Sequence, residues 1–214
     1  MTPATPEDGR TPEPSTADDA ATTGLLVVVA GPSGVGKGTV HTELRRRLPD
    51  AVLSVSATTR PARPGEVDGV HYRFVDRTTF EGMVADGDLL EWAEYAGNLY
   101  GTPRAPAAEA VARGEVVLLD IEVLGALQVK AADPDALLVF LQPPSFEELE
   151  RRLRGRGTED GATIARRLEV ALDELAGAGA FDLEVVNDDL DRCVDELLDA
   201  IAVARRAATD DVAF

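Results

Sequence analysis

The chain is poor in the residues that build disulfide or metal frameworks. Among 214 residues there is one cysteine, Cys193, and there are two histidines, His41 and His71. An internal disulfide and a cysteine metal cluster are thereby excluded, and the usage fits a reducing, cytoplasmic compartment. Neither histidine has a cysteine, histidine or carboxylate partner at metal-ligand spacing. Basic residues are also scarce: 21 Lys and Arg stand against 39 Asp and Glu, a formal net charge of −18. Nucleic acid and anionic membranes would repel such a chain at long range, so neither is an expected partner. A polyphosphate ligand would need a local basic pocket. No apolar run approaches the roughly 18 to 20 residues that span a bilayer, and the first residues lack the basic and apolar regions of a secretory signal.

What is present suits one α/β domain with a mobile insertion, 44% of the residues being apolar. The organising stretch is residues 25–39, where a β-branched apolar run, Leu-Leu-Val-Val-Val-Ala, breaks into Gly-Pro-Ser-Gly-Val-Gly-Lys-Gly-Thr. The run reads as a strand buried on both faces. Gly31, Gly34 and Gly36 let the backbone turn tightly, so that successive N–H groups face a phosphate, and the helix starting near Lys37 adds its positive end. Gly31, Gly36 and Lys37 match G-x-x-x-x-G-K in the strand-to-helix context that the motif requires. Gly38 stands where a Ser or Thr usually binds magnesium, and the hydroxyl arrives one place later on Thr39. Magnesium is therefore expected to be held mainly through water and phosphate.

Residues 1–23 carry Glu7, Asp8, Glu13, Asp18 and Asp19 against Arg10 alone and read as a solvated tail, with a docking or regulatory segment as the alternative. A second strand is expected over 51–56. The proline-punctuated stretch after it presents Arg60 and Arg63 on an extended loop beside Tyr72, where planar guanidinium groups suit a phosphate other than the one above Lys37. Strands over 71–75 and 89–95, with a helix over 78–85, make a small β-rich insertion. Within it Glu91 falls on the opposite side from Leu90 and Trp92, facing a cavity unless it is merely exposed. Residues 97–103 read as turn-rich, and 105–112 as a helix returning to the main sheet. The strand over 115–121 delivers Asp120 at its end, in the manner of a magnesium-orienting acid or else as a helix cap, with Glu122 on the same side. Strands over 136–142 and 181–186 follow, along with helices from 146, over 162–176 and over 190–206. Ser145 and Glu148 are spaced as a capping box. Arg151, Arg152, Arg154 and Arg156, with Arg166 and Arg167 beyond, imply an anion to neutralise or a solvated basic face. Alternating strands and helices indicate a parallel sheet covered on both faces, with the ligand at the strands' carboxyl ends.

Taken in order, these motifs resemble the guanylate kinase family over residues 25 to about 201. The carriers are the 31–37 loop, residues 56–66 running into Val-Asp-Gly-Val-His-Tyr, Glu91-Trp92, Tyr100-Gly101-Thr102, Leu119-Asp120-Ile121-Glu122, Arg156-Gly157-Thr158 and Val186-Asn187-Asp188-Asp189. The resemblance implies a P-loop NTPase-type domain over 24–207, with its core at 24–55 and 103–207. It also implies a GMP-binding insertion at 56–102, an arginine-rich lid at about 153–166, and a tail over 208–214. ATP would be bound by Gly31, Pro32, Ser33, Gly34, Val35, Gly36, Lys37, Gly38, Thr39, Asn187 and Asp188, with Mg2+ on Thr39 and Asp120, mostly through water. Arg60, Arg63, Tyr72 and Tyr100 would grip the GMP phosphate; Ser56, Glu91, Thr102 and Glu122 would read guanine; Glu66 and Asp120 complete that site. Lys37, Arg152, Arg156 and Arg167 would stabilise the transferring phosphoryl group. Glu122 stands where family members often have Asp. The competing readings are another P-loop kinase, and a guanylate-kinase-like binding module that has lost catalysis.

Overall fold

The computed structural model describes residues 23–155 and 161–211. Arg156, Gly157 and Thr158, and with them the middle of the expected lid, lie outside the described residues, as does the expected tail up to residue 22.

Five parallel strands form the main sheet: β1 (Leu25–Ala30), β2 (Ala51–Leu53), β7 (Val116–Asp120), β8 (Leu137–Gln142) and β9 (Leu183–Val186), in the order β2-β7-β1-β8-β9. The central strand β1 is buried throughout, and its two faces feed two cores. Leu25, Val27 and Val29 join Val40 and Leu44 of helix α1 (Lys37–Arg47) and Val194, Leu197 and Ile201 of helix α7 (Leu190–Asp211). Leu26, Val28 and Ala30 join Ala107 and Ala110 of α3 (Arg104–Ala112) and Ala126 and Val129 of α4 (Val123–Ala132). Each such valine or leucine taken fully out of water stabilises the fold by about 1.5 to 3 kcal/mol. An unbroken apolar run is therefore what a central parallel strand requires.

A second sheet, ordered β4-β3-β6-β5, is made by β3 (Ala57–Thr58), β4 (Arg73–Phe74), β5 (Leu89–Tyr95) and β6 (Asn98–Pro103), and α2 (Arg77–Asp86) packs on it through the fully buried Phe80. Asp76 caps α2 by accepting from the Thr79 amide at 2.7 Å. Helices α5 (Phe146–Gly155) and α6 (Gly161–Ala176) complete the described residues around the strands' carboxyl ends.

Several expectations are corrected. Residues 98–103 form a full strand rather than a turn. Ala96 (φ 50°) and Gly97 (φ 78°) supply the hairpin turn, and Gly101 is required because a Cβ there would stand 2.8 Å from the Glu91 carbonyl oxygen across the pair. The strand expected over 51–56 stops at Leu53, with β3 beginning only at Ala57 in the other sheet, and that over 71–75 shrinks to two residues. Helix α4, between β7 and β8, adds an element that the pattern did not reveal. The closing helix runs to Asp211 and takes in the first residues of the expected C-terminal tail. Only half of the capping box forms: the Glu148 amide donates to Ser145 Oγ at 3.2 Å, while the Glu148 carboxylate turns to Arg151 and Arg152.

Candidate active site

Because the main sheet is parallel, β1, β7, β8 and β9 all end at one edge, with Val29 level with Asp120 and Gln142 level with Val186. The loop after β1 fills that edge. Gly31, Gly34 and Gly36 have φ of 146°, 91° and 109°, a region in which side chains are strained. Added bulk at Gly36 would also collide with Asn187, whose Nδ2 lies 2.6 Å from the would-be Cβ. Lys37 Nζ donates to the Gly31 carbonyl at 2.6 Å, which holds the ammonium over the loop. Pro32, Ser33, Gly34, Gly36, Lys37, Gly38, Thr39 and Asp120 line a pocket of about 420 Å3.

Arg152 and Asn187 clasp this loop from the far side. Asn187 is buried and donates through Nδ2 to the Val35 carbonyl at 2.8 Å. Arg152 donates to the same carbonyl at 3.0 Å, to the Asn187 carbonyl at 2.9 Å and to Glu148 at 2.8 Å. Asp188 is exposed and pairs with Arg192 on α7. Three arginines of the run have acidic partners on their own helix, while Arg156 lies outside the described residues. Arg151 and Arg152 share Glu148, and Arg154 pairs with Glu150, all on α5. The two arginines hold the Glu148 carboxyl down at about 2.

The second pocket lies beside the first. Ser33, Lys37, Tyr72, Tyr95, Asp120, Glu122, Arg166, Arg167 and Glu174 are among the side chains around a cavity of about 530 Å3. Arg167 on α6 reaches the loop after β1, donating to Ser33 Oγ at 3.3 Å. In the smaller sheet Glu91 is 6% exposed, which removes the reading of an exposed strand glutamate. Its neighbours differ from the simple alternation: Leu90 is buried but Trp92 is 41% exposed. The register shifts between Leu89 and Glu91, and such a bulge places consecutive side chains on one side. Thr102 Oγ1 donates to Glu91 Oε1 at 2.7 Å. Burial pushes the Glu91 carboxyl up and the Glu122 charge adds to this, against the Thr102 hydrogen bonds.

Arg60 is held in a fork by Glu66, at 2.9 and 2.8 Å, and the Arg63 amide donates to the same carboxylate at 2.6 Å. Hydrogen bonds from Arg60 and from that amide bring the Glu66 carboxyl down to about 2. The Arg60 guanidinium also lies 5.4 Å from the Tyr72 ring centre, and Tyr72 meets Tyr100 edge-on at 6.1 Å. Arg60, Glu66, Tyr72 and Tyr100 thus form one cluster, whereas the Arg63 side chain is exposed. Ser56 joins β3 to β4 by accepting from the Arg73 amide at 2.8 Å through its carbonyl. Asp120 does not cap α4: that place belongs to Glu122, which makes no side-chain cap. Asp120 and Glu122 are both exposed at the cavity rim.

Two groups with unpartnered buried atoms were given no role by the sequence reading. Glu174 lies two turns after Arg167 on α6, and its Oε2 has no partner among the described residues. Burial raises its pKa, with the Lys37 charge and the Ser33 amide opposing. The only sequence signal is its i+7 spacing from Arg167. His41, one turn after Lys37, is 4% exposed with neither ring nitrogen partnered; burial lowers its pKa against the nearby Asp120 charge.

Comparison with known proteins agrees with this geometry. A family model described as guanylate kinase matches residues 23–204. The chain is 59% identical over 177 residues to a guanylate kinase of Thermobifida fusca, covering 83% of this chain and 90% of that protein. It is 52% identical to one of Synechocystis over 86% of this chain and 96% of that protein. A crystal structure of guanylate kinase from Anaplasma phagocytophilum superposes with a TM-score of 0.68 at 32% identity, over 86% of this chain and 87% of that one.

Proposed function

The chain belongs to the guanylate kinase family, and from that premise we propose that it transfers the γ-phosphoryl group of ATP to GMP, and to dGMP, giving ADP and GDP or dGDP. The observation that carries the reading is the buried Glu91–Thr102 pair, which feels the charge of Glu122 on the rim of the cavity that Lys37 and Arg167 also line. Guanine presents N1–H and a 2-amino group as neighbouring donors, which one carboxylate accepts together, while its O6 takes a hydroxyl or amide proton. Adenine would leave the buried Glu91 unpaired, and a site of this kind rejects the wrong partner by about 10⁴ to 10⁵. Ser56 and Glu122 border the base, and Arg60, Arg63, Tyr72 and Tyr100 hold the monophosphate, with Glu66 steadying Arg60.

On the donor side, main-chain amides of residues 31–39 and Lys37 hold the β- and γ-phosphates, and Asn187 and Asp188 flank the adenine. Arg167, already against Ser33, and Arg156 close on the transferring group. Positioning in line, exclusion of water and charge stabilisation carry the reaction; a closing arginine is worth about 10³ to 10⁵ in rate. Asp120 and the Thr39 hydroxyl share the phosphate pocket, and the described residues contain no group of three or more His, Cys, Asp or Glu able to hold a metal by themselves. One carboxylate and one hydroxyl beside a phosphate seat suit Mg2+, which keeps most of its waters and binds chiefly through phosphate oxygens. When bound it offsets charge on the β- and γ-oxygens. No helix among the described residues is long and apolar enough to cross a membrane, and a cytoplasmic site of action completes the reading.

The test is ADP release, enzyme-coupled, with GMP, dGMP, AMP, CMP and UMP side by side. GMP and dGMP are expected to turn over and the others to give under a thousandth of that kcat/KM. A preference for AMP would refute the assignment.

A further inference from the structure

Gly125 occupies the first turn of α4, where glycine is a poor choice on backbone grounds. Its φ is not positive, so alanine would adopt the same conformation and favour the helix. The reason for glycine lies across the groove. A Cβ at 125 would stand 2.9 Å from Glu91 Oε2, 3.4 Å from Glu91 Cδ and 3.4 Å from Ile121 Cδ1.

Neither backbone is at liberty to absorb that contact. Helix α4 is locked to β5 one residue away: the Trp92 amide donates to Gln128 Oε1 at 3.2 Å, and Gln128 Nε2 donates back to the Trp92 carbonyl at 3.1 Å. Gln128 and Gly125 are three residues apart and share a face of the helix. On its other side Glu91 is paired with Thr102 both across the strands and through its Oε1, at 2.7 Å. What yields to an added methyl is the carboxylate itself.

We propose that Gly125 is a positioning residue for base selection, leaving the space in which the Glu91 carboxylate lies against α4 and keeps its oxygens aimed at N1–H and the 2-amino group of guanine. The inference rests on the reading of Glu91 as the guanine acceptor. It assigns Gly125 no contact with the nucleotide.

The experiment compares the parent, Gly125→Ala, Glu91→Ala and the double variant, measuring kcat and KM for GMP and for IMP, which lacks the 2-amino group, and the melting temperature without nucleotide. For Gly125→Ala the KM for GMP rises about tenfold, the scale of one weakened hydrogen bond to a charged acceptor. The kcat stays within about twofold and the GMP-over-IMP preference shrinks, because the rigid donor-side machinery is untouched. The melting temperature holds or rises. In the Glu91→Ala background the substitution has no further effect on KM. An unchanged KM in Gly125→Ala beside a raised KM in Glu91→Ala overturns this inference and leaves the guanine reading intact. A Gly125→Ala effect that persists undiminished without Glu91, or a melting temperature well below the parent, also overturns it. A Glu91→Ala enzyme with the parent's GMP kinetics overturns the underlying reading instead.

Discussion

Replacing Arg152 with alanine separates two roles for the same side chain. By resemblance Arg152 would act on the transferring phosphoryl group, yet in this structure its guanidinium is spent on the Val35 and Asn187 carbonyls, at 3.0 and 2.9 Å, and on Glu148. Charge-assisted hydrogen bonds to a carbonyl are worth about 1.5 to 3 kcal/mol each. The side chain is 25% exposed, so water replaces part of that, and Arg151 remains to partner Glu148. A net loss of about 2 kcal/mol follows, and in a domain of this size each kcal/mol lowers the melting temperature by about 2 to 4 °C. Thermal unfolding of the nucleotide-free protein by far-ultraviolet circular dichroism should therefore fall by about 4 to 8 °C. Arg154→Ala, which gives up an exposed pair with Glu150, should stay within about 1 °C. The KM for ATP should rise as well, since the clasp holds the phosphate loop against the Asn187 turn, while the KM for GMP should not. If nucleotide-free Arg152→Ala melts with the parent and only turnover collapses, the clasp carries no stability and the reasoning fails.

Two further outcomes follow from charge and space at the site. The Glu91 carboxyl is raised above its ordinary 4.5, so the folded protein protonates it at a higher pH than the unfolded chain does, and its contribution to stability falls as pH rises through that window. Protonated, it no longer accepts two guanine donors, so kcat/KM for GMP should decline on the acid side at a pH above the ordinary carboxylate range. Glu91→Gln should lack that limb and, at pH 8, melt at or above the parent. At Gly38 nothing lies within 4 Å of an added Cβ, and the position is exposed in the first turn of α1. Gly38→Ser should fold with about 0.5 kcal/mol more helix stability. It should also bind Mg-ADP more tightly by titration calorimetry and reach half-maximal turnover at lower Mg2+; unchanged magnesium dependence would show that Thr39 already supplies the hydroxyl.

The elements that could be read from the chain alone are those whose cause is local. The run from Leu25 to Ala30, the glycines after it and Lys37 announce a buried strand and an anion seat because apolar continuity, left-handed φ and a helix start are written within fifteen residues. The strand carrying Asp120 and the amphipathic α5, α6 and α7 were legible for the same reason, as was the company of Arg60, Tyr72 and Tyr100 once the family pattern was in view. Strand β6 was not, since Asn-Leu-Tyr-Gly-Thr-Pro is a strand only when β3 and β5 supply partners on both sides. Nor was the bulge that buries Glu91 and exposes Trp92, or the use of Arg152 to brace the loop after β1. Residue type and spacing thus determined which chemistry this chain carries. Where each charge is spent, and which glycine leaves room for which carboxylate, was decided by segments far apart in sequence meeting at ångström range, because hydrogen-bond and contact energies depend on distances that no local pattern encodes.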